Sequence, residues 1–385
     1  MKIIILSHSS NKYGAELALL EMVDVLRTHH DCVVIVPSYG PLVEELKKIN
    51  IEVKILKYKW WIHFKNDTYL KIFIKFIINL FYSIFVTYEI NKLKPDIIFT
   101  NTAVINTGMI SAIILNKPHI WLIHESVKED PEMNYDIGEK IVMKLIKKYS
   151  DYIVVVSEVL FEKYSNFFDL NKLKLIYLQN IKKPSLNENP LWPIESNESF
   201  LKLIIIGTIN KNKNQIFGIE AINELKNINL EKIQLLIIGD GDKKYLEKIL
   251  NAIKKYELDS QISFLNYTDN IYPFIMGSDC LLMLSNFESF SRVAIEGMFC
   301  GKLVIASDNS GGTSETIKNK TTGLIYKKGS VSDLVLSISY AYNNRIIIKE
   351  IGENAKKFSQ KFHNPDNYLN ELDKLIKEVI EKKHA

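Results

Sequence analysis

The chain of 385 residues is longer than a single hydrophobic core usually grows, so its length predicts two domains. Hydrophobic residues make up 47% and charged residues 24% of it, as in an ordinary soluble globular protein. A net charge of +4 is too mild to indicate a nucleic-acid partner. The scattered Cys32, Cys280 and Cys300 have the spacing of neither a disulfide framework nor a metal site, so we expect buried thiols and a reducing, cytoplasmic location.

The first half of the chain alternates short apolar runs with longer helical patterns. Its opening run, residues 2–7, is short and lacks a small-residue cleavage site, so it predicts a strand and not a signal peptide. Continuous apolar runs such as 153–156 are typical of parallel strands that are covered on both faces. Strands are predicted near 2–7, 32–37, 51–57, 96–101, 119–124, 152–157 and 173–179.

Residues 57–94 differ from the rest of the first half because they are rich in aromatic residues and flanked by lysines. Their uninterrupted apolar part is shorter than the roughly 20 residues that a bilayer crossing requires. One interpretation is a helix packed on the sheet with only its edge exposed. The other is a helix that lies on an anionic membrane surface, as a peripheral contact at the inner face of the cell membrane.

The second half repeats the alternation of strands and helices. Strands are predicted near 201–207, 233–239, 261–266, 280–285, 303–307 and 323–326. Alternating strands and helices imply right-handed βαβ units, so each half predicts a doubly wound α/β sheet of the Rossmann-like type. A proline-containing stretch without periodicity separates the halves. The predicted division is a domain 1–182, a linker 183–198, a domain 199–362 and a final helical segment 363–385.

Ligands bind beyond the carboxyl ends of the strands in such sheets, which draws attention to the loops there. The loop after the first strand has one glycine, Gly14, where a dinucleotide fingerprint wants three, so NAD or FAD is disfavoured. Gly14 is either a simple turn residue or a point where backbone amides approach a phosphate. His124 ends the strand 119–124 and is either a hydrogen-bonding group for a reacting substrate or a histidine satisfied by nearby backbone; Glu125 and Asp130 follow it.

Two carboxylates stand in the run S-N-F-E-S-F-S-R-V-A-I-E-G at residues 285–297. Glu288 is predicted in a loop after an apolar strand, and Glu296 on the body of a helix that begins near Ser289 to Ser291. Because a helix rises about 1.5 Å per residue, the two acids are expected about one pyrophosphate length apart. The amides of the helix start lie between them and attract anions. The pattern predicts a cradle for a long ligand with hydroxyls at both ends and phosphates in the middle.

The run 281–323, with its Glu pair and the later Gly311-Gly312, resembles the retaining nucleotide-sugar glycosyltransferases of family 4, the "glycosyl transferases group 1" type. In that family the first Glu binds the transferred sugar and the second binds the ribose of the nucleotide. By this resemblance Glu288 is catalytic and donor-binding, and Glu296 is donor-binding. The resemblance also implies donor binding by five further residues, namely Gly14, Lys213, Ser289, Phe290 and Ser291.

The resemblance also covers the first half, where the family commonly has a functional histidine at the position of His124, which we take as catalytic. One departure concerns the loop after the first strand of the second half. The family often has an arginine there that neutralises the pyrophosphate together with a lysine. Lys213 matches the lysine, but Thr208 stands at the arginine position and offers one neutral donor, for which Lys211 or Arg292 could compensate.

The resemblance implies a GT-B architecture, in which two Rossmann-like domains face a central cleft and a C-terminal helix crosses back to the first. It implies sugar transfer from a nucleoside diphosphate sugar to an acceptor hydroxyl with retention, the acceptor being a lipid-linked glycan or cell-surface polysaccharide. With no Asp-x-Asp pair at a suitable position we expect no metal, and no cofactor besides the donor. Two rival interpretations are a non-catalytic sugar-nucleotide-binding subunit of an active transferase and a GT-B isomerase or phosphorylase.

Overall fold

The computed structural model describes residues 1–129, 132–178, 188–195, 197 and 199–384. The chain forms two compact units. Unit 1 comprises Met1–Asn180 and His363–Ala385, and unit 2 comprises Ile181–Phe362. Much of the predicted linker 183–198, namely 183–187, 196 and 198, lies outside the described residues, as does Asp130.

Unit 1 is built on a parallel sheet whose described strands have the order β3-β2-β1-β5-β6-β8-β9. The seven strands predicted in the first half are all present, and the last one, predicted to reach residue 179, ends at Leu175. Their bounds are β1 Lys2–Ser7, β2 Asp31–Val36, β3 Glu52–Ile55, β5 Ile97–Asn101, β6 His119–Ile123, β8 Tyr152–Val155 and β9 Leu173–Leu175. A short antiparallel pair, β4 (Ile62–Phe64) with β7 (Met133–Tyr135), was not predicted from the sequence.

Helices cover the unit 1 sheet, and the central strands are buried apart from the first residue of some of them. Most of these helices connect one parallel strand to the next, which produces the predicted βαβ pattern. The bounds are α1 Gly14–Leu26, α2 Pro41–Lys48, α3 Tyr69–Lys92, α4 Thr107–Leu115, α5 Glu139–Tyr149, α6 Glu158–Ser165 and, from the end of the chain, α14 Pro365–His384.

Unit 2 has a second parallel sheet, with its described strands in the order β12-β11-β10-β13-β14-β15. The six predicted strands are confirmed: β10 Leu201–Ile206, β11 Ile233–Ile238, β12 Ile262–Leu265, β13 Cys280–Met283, β14 Leu303–Ser307 and β15 Leu324–Tyr326. Two apolar clusters pack on its two faces, which is why its strands read as continuous apolar runs. The helices are α7 Gln215–Asn227, α8 Lys243–Lys255, α9 Tyr272–Gly277, α10 Arg292–Phe299, α11 Gly312–Thr316, α12 Val331–Asn343 and α13 Arg345–Phe362.

Each sheet has a switch point, where the strand order reverses its direction of growth. In unit 1 the chain builds β1-β2-β3 outward on one side and then starts the other side with β5, so the switch point lies between β1 and β5. In unit 2 it lies between β10 and β13. Loops at the carboxyl ends of two such strands diverge and leave a crevice, which is where open α/β sheets bind ligands.

Helix α3 differs from two expectations for residues 57–94, namely that the segment is too short to cross a bilayer and that a packed helix exposes only its edge. Its 24 residues include a window with mean hydropathy 1.7, so length and composition suffice for a bilayer crossing, contrary to the sequence-based expectation. Only 22% of that window is buried, so the interpretation in which only an edge of the helix is exposed is wrong. Elsewhere the cysteine expectation holds for Cys32 and Cys280, which are buried, whereas Cys300 is half-buried.

Candidate functional site

The switch point of unit 2 brings together the loop after β10 and the loop after β13. The Asn286 N–H donates to the carbonyl oxygen of Asn212 at 2.7 Å, and Asn212 Nδ2 donates to the carbonyl oxygen of Phe287 at 2.9 Å. Asn212 Oδ1 in turn accepts a hydrogen bond from the Phe287 N–H at 3.2 Å. The asparagine thus fixes the two loops against each other, immediately before Lys213 on one side and Glu288 on the other.

The glycine pair after β14 holds the backbone of Glu288. The Glu288 N–H donates to the carbonyl oxygen of Ser310 at 2.9 Å, and the Gly312 N–H donates to the carbonyl oxygen of Glu288 at 2.8 Å. Gly311 has φ 77°, and a Cβ at this position would lie 2.3 Å from the Glu288 carbonyl oxygen. A glycine is therefore required here by both conformation and space. The Gly-Gly turn and the first Glu of the motif form one structural unit.

Lys213 and Glu288 form an ion pair in which Lys213 Nζ donates to Glu288 Oε1. The two side chains are 22% and 13% exposed, so the pair is partly shielded from water. Lys213 is itself positioned because its N–H donates to Asn210 Oδ1 at 2.9 Å. The site therefore places one positive and one negative group at the switch point, able to neutralise a phosphate and to accept hydrogen bonds from hydroxyls.

Glu296, the second predicted carboxylate, lies on α10 and is 9% exposed. The helix begins at Arg292, after Ser291, within one residue of the predicted start. The backbone amides of its first turn therefore come directly after Ser289, Phe290 and Ser291 in the chain, as expected. Arg292 Nη2 lies 3.8 Å from Glu296 Oε1, one helical turn away. The arginine that could compensate for Thr208 is thus placed beside the second carboxylate.

Thr208 and Lys211 are both exposed in the loop after β10. The Thr208 carbonyl oxygen accepts a hydrogen bond from Gln215 Nε2 at 3.0 Å, and the Lys211 carbonyl oxygen accepts one from Asn286 Nδ2 at 3.1 Å. The backbone at these positions shapes the loop, while the Lys213 side chain is the one held beside the carboxylate.

The switch point of unit 1 carries the other predicted residues. His124 follows β6, and its Nε2 lies 2.7 Å from Oδ1 of Asn101, the last residue of β5. A side-chain partner therefore orients the ring, in addition to any backbone contact. Gly14 opens α1 and is exposed, so its backbone is accessible beyond β1.

Three residues near this edge, Glu16, His8 and Trp60, were missed or given little weight in the reasoning from the sequence. Glu16, 1% exposed on α1, accepts a hydrogen bond from Ser9 Oγ and lies 3.3 Å from His8 Nε2. Burial lowers the pKa of His8, while the charge of Glu16 opposes this shift. The His8 ring packs on Trp60 at 5.6 Å between centroids. The sequence did contain a signal for this group, namely Glu16, two residues after Gly14. An acidic residue in the first turn of a buried helix at a switch point is seldom a charge exposed to solvent.

Glu125 completes the group at the unit 1 edge. Its Oε1 accepts a hydrogen bond from the Ala103 N–H at 2.6 Å. Burial raises the pKa of its carboxyl to about 7, and the nearby charge of Glu16 adds to the shift. Perturbed carboxyls in a crevice are typical of functional sites, though they occur in structural networks as well. His119, by contrast, is buried in the sheet with Nε2 2.8 Å from Thr100 Oγ1, and burial lowers its pKa to about 3, which fits a structural role.

The described residues contain no group of three or more His, Cys, Asp or Glu that could hold a metal ion. At the two switch points, the groups that can contact a ligand include carboxylates, histidines, the lysine paired with Glu288 and backbone amides. Such a set suits ligands that carry hydroxyls and phosphates.

Two family models match the chain, one in each unit. The model described as Glycosyltransferase Family 4 matches residues 13–178, and the model described as Glycosyl transferases group 1 matches residues 189–358. The second match contains Lys213, Glu288 and Glu296, and the first contains Gly14 and His124.

Curated relatives include an uncharacterised glycosyltransferase of Methanocaldococcus jannaschii, 31% identical over 261 residues, which are 66% of this chain and 68% of the relative. Another is the Campylobacter jejuni enzyme named GalNAc-alpha-(1->4)-GalNAc-alpha-(1->3)-diNAcBac-PP-undecaprenol alpha-1,4-N-acetyl-D-galactosaminyltransferase. It is 25% identical over 390 residues, 98% of this chain and 99% of the relative.

Solved structures with a similar fold include Anabaena HepE in complex with UDP and glucose. It has a TM-score of 0.79 at 17% identity and covers 98% of this chain and 100% of that one. The sucrose-phosphate synthase of Thermosynechococcus elongatus has a TM-score of 0.72 at 16% identity, over 99% of both chains. At these identities the likeness concerns the fold.

Proposed function

This chain is a glycosyltransferase of the GT-B fold that belongs to the glycosyl transferases group 1 family, and we propose that it moves a sugar from a nucleoside diphosphate sugar to an acceptor hydroxyl with retention at the anomeric carbon. The observation that carries the donor proposal is the meeting of Lys213 and Glu288 at the switch point of unit 2. Similar folds have been solved with UDP and with UDP-glucose bound, which supports a nucleotide-linked donor.

The donor proposal assigns a role to each polar group of the site. Glu288 accepts hydrogen bonds from hydroxyls of the transferred sugar, and Glu296 accepts them from the ribose. Lys213 and the amides at the start of α10 stabilise the negative charge that develops on the departing diphosphate. Ser289, Phe290 and Ser291 bring those amides to the phosphates, and Gly14 is assigned to donor binding because a glycine leaves its backbone open to close approach by a phosphate.

Catalysis in this proposal is mainly positioning and charge stabilisation. The transition state separates an oxocarbenium-like sugar from a diphosphate, so groups already fixed by the Asn212 and Gly311 contacts need no reorganisation as charge develops. Because Lys213 and the α10 amides supply the positive potential, we infer that the transfer needs neither a metal ion nor a cofactor. Transfer that persists at full rate in the presence of a chelator is the expected result, and loss of activity on chelation would contradict this inference.

We infer that the acceptor is a lipid-linked glycan or a cell-surface polysaccharide and that unit 1 binds it. The Campylobacter jejuni relative that matches over 99% of its length is named for an acceptor on PP-undecaprenol, which supports a lipid-linked acceptor. His124, Glu16 and Glu125 offer hydrogen bonds to acceptor hydroxyls at the unit 1 switch point. We propose that the chain acts in the cytoplasm at the inner face of the cell membrane, in line with its three free cysteines and with a lipid-linked acceptor.

A panel of nucleotide sugars, tested first by thermal stabilisation and then for transfer, examines the proposal directly. Glu296→Ala should remove most stabilisation by every nucleotide, because the ribose contact is shared by all donors. Glu288→Ala should chiefly erase the preference among sugars. Equal responses of both variants to every donor would contradict the assignment of roles. The anomeric configuration of the product, measured by NMR, tests retention.

Thr208 in place of the family's arginine favours one rival, a non-catalytic subunit that binds sugar nucleotides for an active partner. Such a subunit would be stabilised by a nucleotide sugar but would neither transfer the sugar nor hydrolyse the donor. Donor hydrolysis or transfer by the purified chain therefore separates the two cases, and its complete absence across the panel would favour the rival.

A further inference from the structure

Helix α3 carries its apolar side chains on the outside. Its outward side chains repeat at three- and four-residue spacing and are 40% to 92% exposed. They are Tyr69, Leu70, Phe73, Ile74, Ile78, Leu80, Phe81, Ile84, Phe85 and Tyr88. Monomeric soluble proteins rarely expose a contiguous apolar patch of this length, which is about 36 Å for 24 helical residues. We call this surface the α3 outer face.

The inward side of the same helix carries three polar residues, Asn79, Ser83 and Thr87, beside the apolar Val86 and Ile90. Asn79 Nδ2 donates to Asn106 Oδ1 at 2.9 Å, Ser83 Oγ lies 3.2 Å from Thr107 Oγ1, and Thr87 Oγ1 lies 2.8 Å from Ser111 Oγ. All of these partners lie at the start of α4 or on it and are buried. The helix therefore keeps hydrogen-bonded polar groups on its buried side, while most of its large apolar side chains are turned to the outside.

The polar residues of the inward side distinguish a helix lying on a bilayer from one crossing it. A crossing helix would expose Asn79, Ser83 and Thr87 to hydrocarbon after losing their partners on α4, and each unsatisfied polar group costs free energy there. Docked on α4, the helix keeps these hydrogen bonds and offers only one face to lipid. Ile113 and Ile114 of α4, 44% and 56% exposed, lie near its end and extend the apolar surface.

Positive charge borders the α3 outer face near its start. A groove of about 400 Å³ is lined by Lys59, Lys71 and Lys75 together with Thr68, Leu70, Ile74 and Ile78. Lys71 forms an ion pair with Asp67, and Lys75 Nζ lies 2.9 Å from Asp136 Oδ1. Asp67 and Asp136 thus balance the charges of Lys71 and Lys75. Lys59 and the exposed Lys65 add positive charge that these two carboxylates do not balance. At the other end Lys92 Nζ lies 2.7 Å from Glu89 Oε1 and 4.3 Å from the centroid of the Tyr88 ring, so its charge is balanced and the excess positive charge lies near the start of the helix.

We propose that the α3 outer face lies in the plane of an anionic bilayer surface, with its aromatic and aliphatic side chains among the acyl chains and the flanking lysines at the phosphate level. Apolar area supplies the affinity, and the lysines select for anionic lipid. Tyrosines at both ends, Tyr69 and Tyr88, fit the interface because their rings are apolar and their hydroxyls remain wet. This proposal goes beyond the transfer reaction and depends on α3 alone.

The test is co-sedimentation of the full chain with vesicles of phosphatidylcholine, with and without phosphatidylglycerol. We expect binding to the phosphatidylglycerol vesicles that weakens as salt rises, and much weaker binding to the neutral ones. Phe81→Ser and Phe85→Ser should each reduce vesicle affinity on the order of tenfold. Equal binding to both kinds of vesicle, or no binding by the unmodified chain, would overturn the proposal.

Matched controls come from unit 2, where Leu336 and Ile346 are 66% and 76% exposed. Leu336→Ser and Ile346→Ser should leave vesicle binding unchanged. Thermal stabilisation by a nucleotide sugar should be the same in all four variants, so failure of membrane binding and failure of the donor proposal are separate results. A fall in the melting temperature of unliganded Phe81→Ser or Phe85→Ser would mean that the face is packed and would also count against the proposal.

Two other occupants give recognisably different outcomes. If a second copy of the chain covered the α3 outer face, the protein without vesicles would be a dimer by light scattering and Phe81→Ser would make it a monomer. If α3 crossed the bilayer, the bound chain would resist extraction by high salt and alkaline carbonate. Either outcome would overturn the proposal, whereas a monomer that is released by alkaline carbonate supports it.

Discussion

At the scale of single residues, the ion pair between Lys213 and Glu288 is the point on which the proposed donor binding depends. The lysine is partly buried and already desolvated, so its hydrogen bonds to a diphosphate should be worth more than those of an exposed lysine. Losing the lysine also leaves the Glu288 carboxylate without its cation, and the unpaired carboxylate then repels the phosphates. Both effects act in the same direction on affinity for a nucleotide.

Lys213→Ala should weaken binding of a nucleoside diphosphate by about 10- to 100-fold, the effect of losing about 1.5–3 kcal/mol from a charged hydrogen bond. Isothermal titration with the diphosphate measures it. Lys211→Ala is the matched control, because Lys211 is exposed in the same loop, and it should change affinity less than about threefold. If Lys211→Ala lost as much as Lys213→Ala, the loop would act only through its net charge.

Glu125 predicts a pH dependence for unit 1. Its folded pKa is about 7 against an ordinary value of 4.5, so the folded state holds the proton more tightly than the unfolded state. The group therefore lowers stability progressively as the pH rises from about 4.5 to about 7. The full penalty is on the order of 3 kcal/mol.

Glu125→Gln should remove this loss, so the free energy of unfolding of the variant relative to the unmodified chain should rise between pH 5 and pH 8. Urea unfolding followed by tryptophan fluorescence measures it, since Trp60, Trp61 and Trp121 all lie in unit 1. His8 titrates in the opposite sense, because its lowered pKa costs stability at acid pH, but that contribution is common to both proteins. A difference that stays constant with pH would show that Glu125 is not held in its protonated form.

At the scale of elements, α3 reverses the usual rule for helix substitutions. Asn79 makes two contacts, donating to Asn106 in a buried place and accepting from the Lys59 N–H at 2.8 Å in a part-buried one. Asn79→Leu should destabilise unit 1 by about 2–4 kcal/mol because both partners lose a hydrogen bond, and Asn106 loses it in a buried place. Ile84→Ser, on the exposed side of the same helix, should change the stability by less than about 0.5 kcal/mol. Urea unfolding of the two variants compares them, and the opposite order would contradict the observed orientation of α3.

The sequence was a good guide to the strands and to the unit 2 site. Apolar runs marked the central strands of the two parallel sheets, because such strands are buried on both faces, whereas the edge strand β3 alternates polar and apolar residues and is mostly exposed. The run from Glu288 to Glu296 also predicted a loop followed by a helix, and α10 begins at Arg292. These features are local in sequence, so a pattern of residues carries them.

Features that depend on distant partners could not be predicted in the same way. The β4–β7 pair joins segments far apart in the chain, and neither has the length of an ordinary strand. Composition identified residues 57–94 as an apolar segment that contains a helix, which is α3 at Tyr69–Lys92, but composition does not say whether the apolar side is turned toward the protein. That was decided by polar partners on α4, which no local pattern indicates. The ion pair of Lys213 likewise requires the topology to bring two loops together.

At the scale of the whole molecule, the chain ends in the unit where it began. α14 packs on α1, with Tyr368, Leu372, Ile376 and Val379 at most 4% exposed. Asp373 Oδ2 lies 2.7 Å from His29 Nδ1, and its Oδ1 lies 2.8 Å from His30 Nε2. Burial raises the pKa of Asp373, but the hydrogen bonds to the two histidines outweigh burial and hold that pKa below its ordinary value. The integrity of unit 1 therefore depends on residues that follow unit 2 in the sequence.

A chain that ends at Phe362 should lose the fold of unit 1 and keep that of unit 2. Burying four large apolar side chains contributes about 1.5–3 kcal/mol each, and the upper estimate of about 6–12 kcal/mol equals the whole stability of a typical domain. Hydrogen exchange measured peptide by peptide should find unit 1 strands unprotected. Unit 2 strands should stay protected, and a nucleotide sugar should protect them further. A chain that ends at Glu381 is the control: it loses the Lys382 contact with Tyr152, an exposed interaction worth less than about 1 kcal/mol, so both units should remain protected. Equal loss of protection in the two units of the shorter chain would mean that they fold as one cooperative body, and the assignment of α14 to unit 1 alone would be wrong.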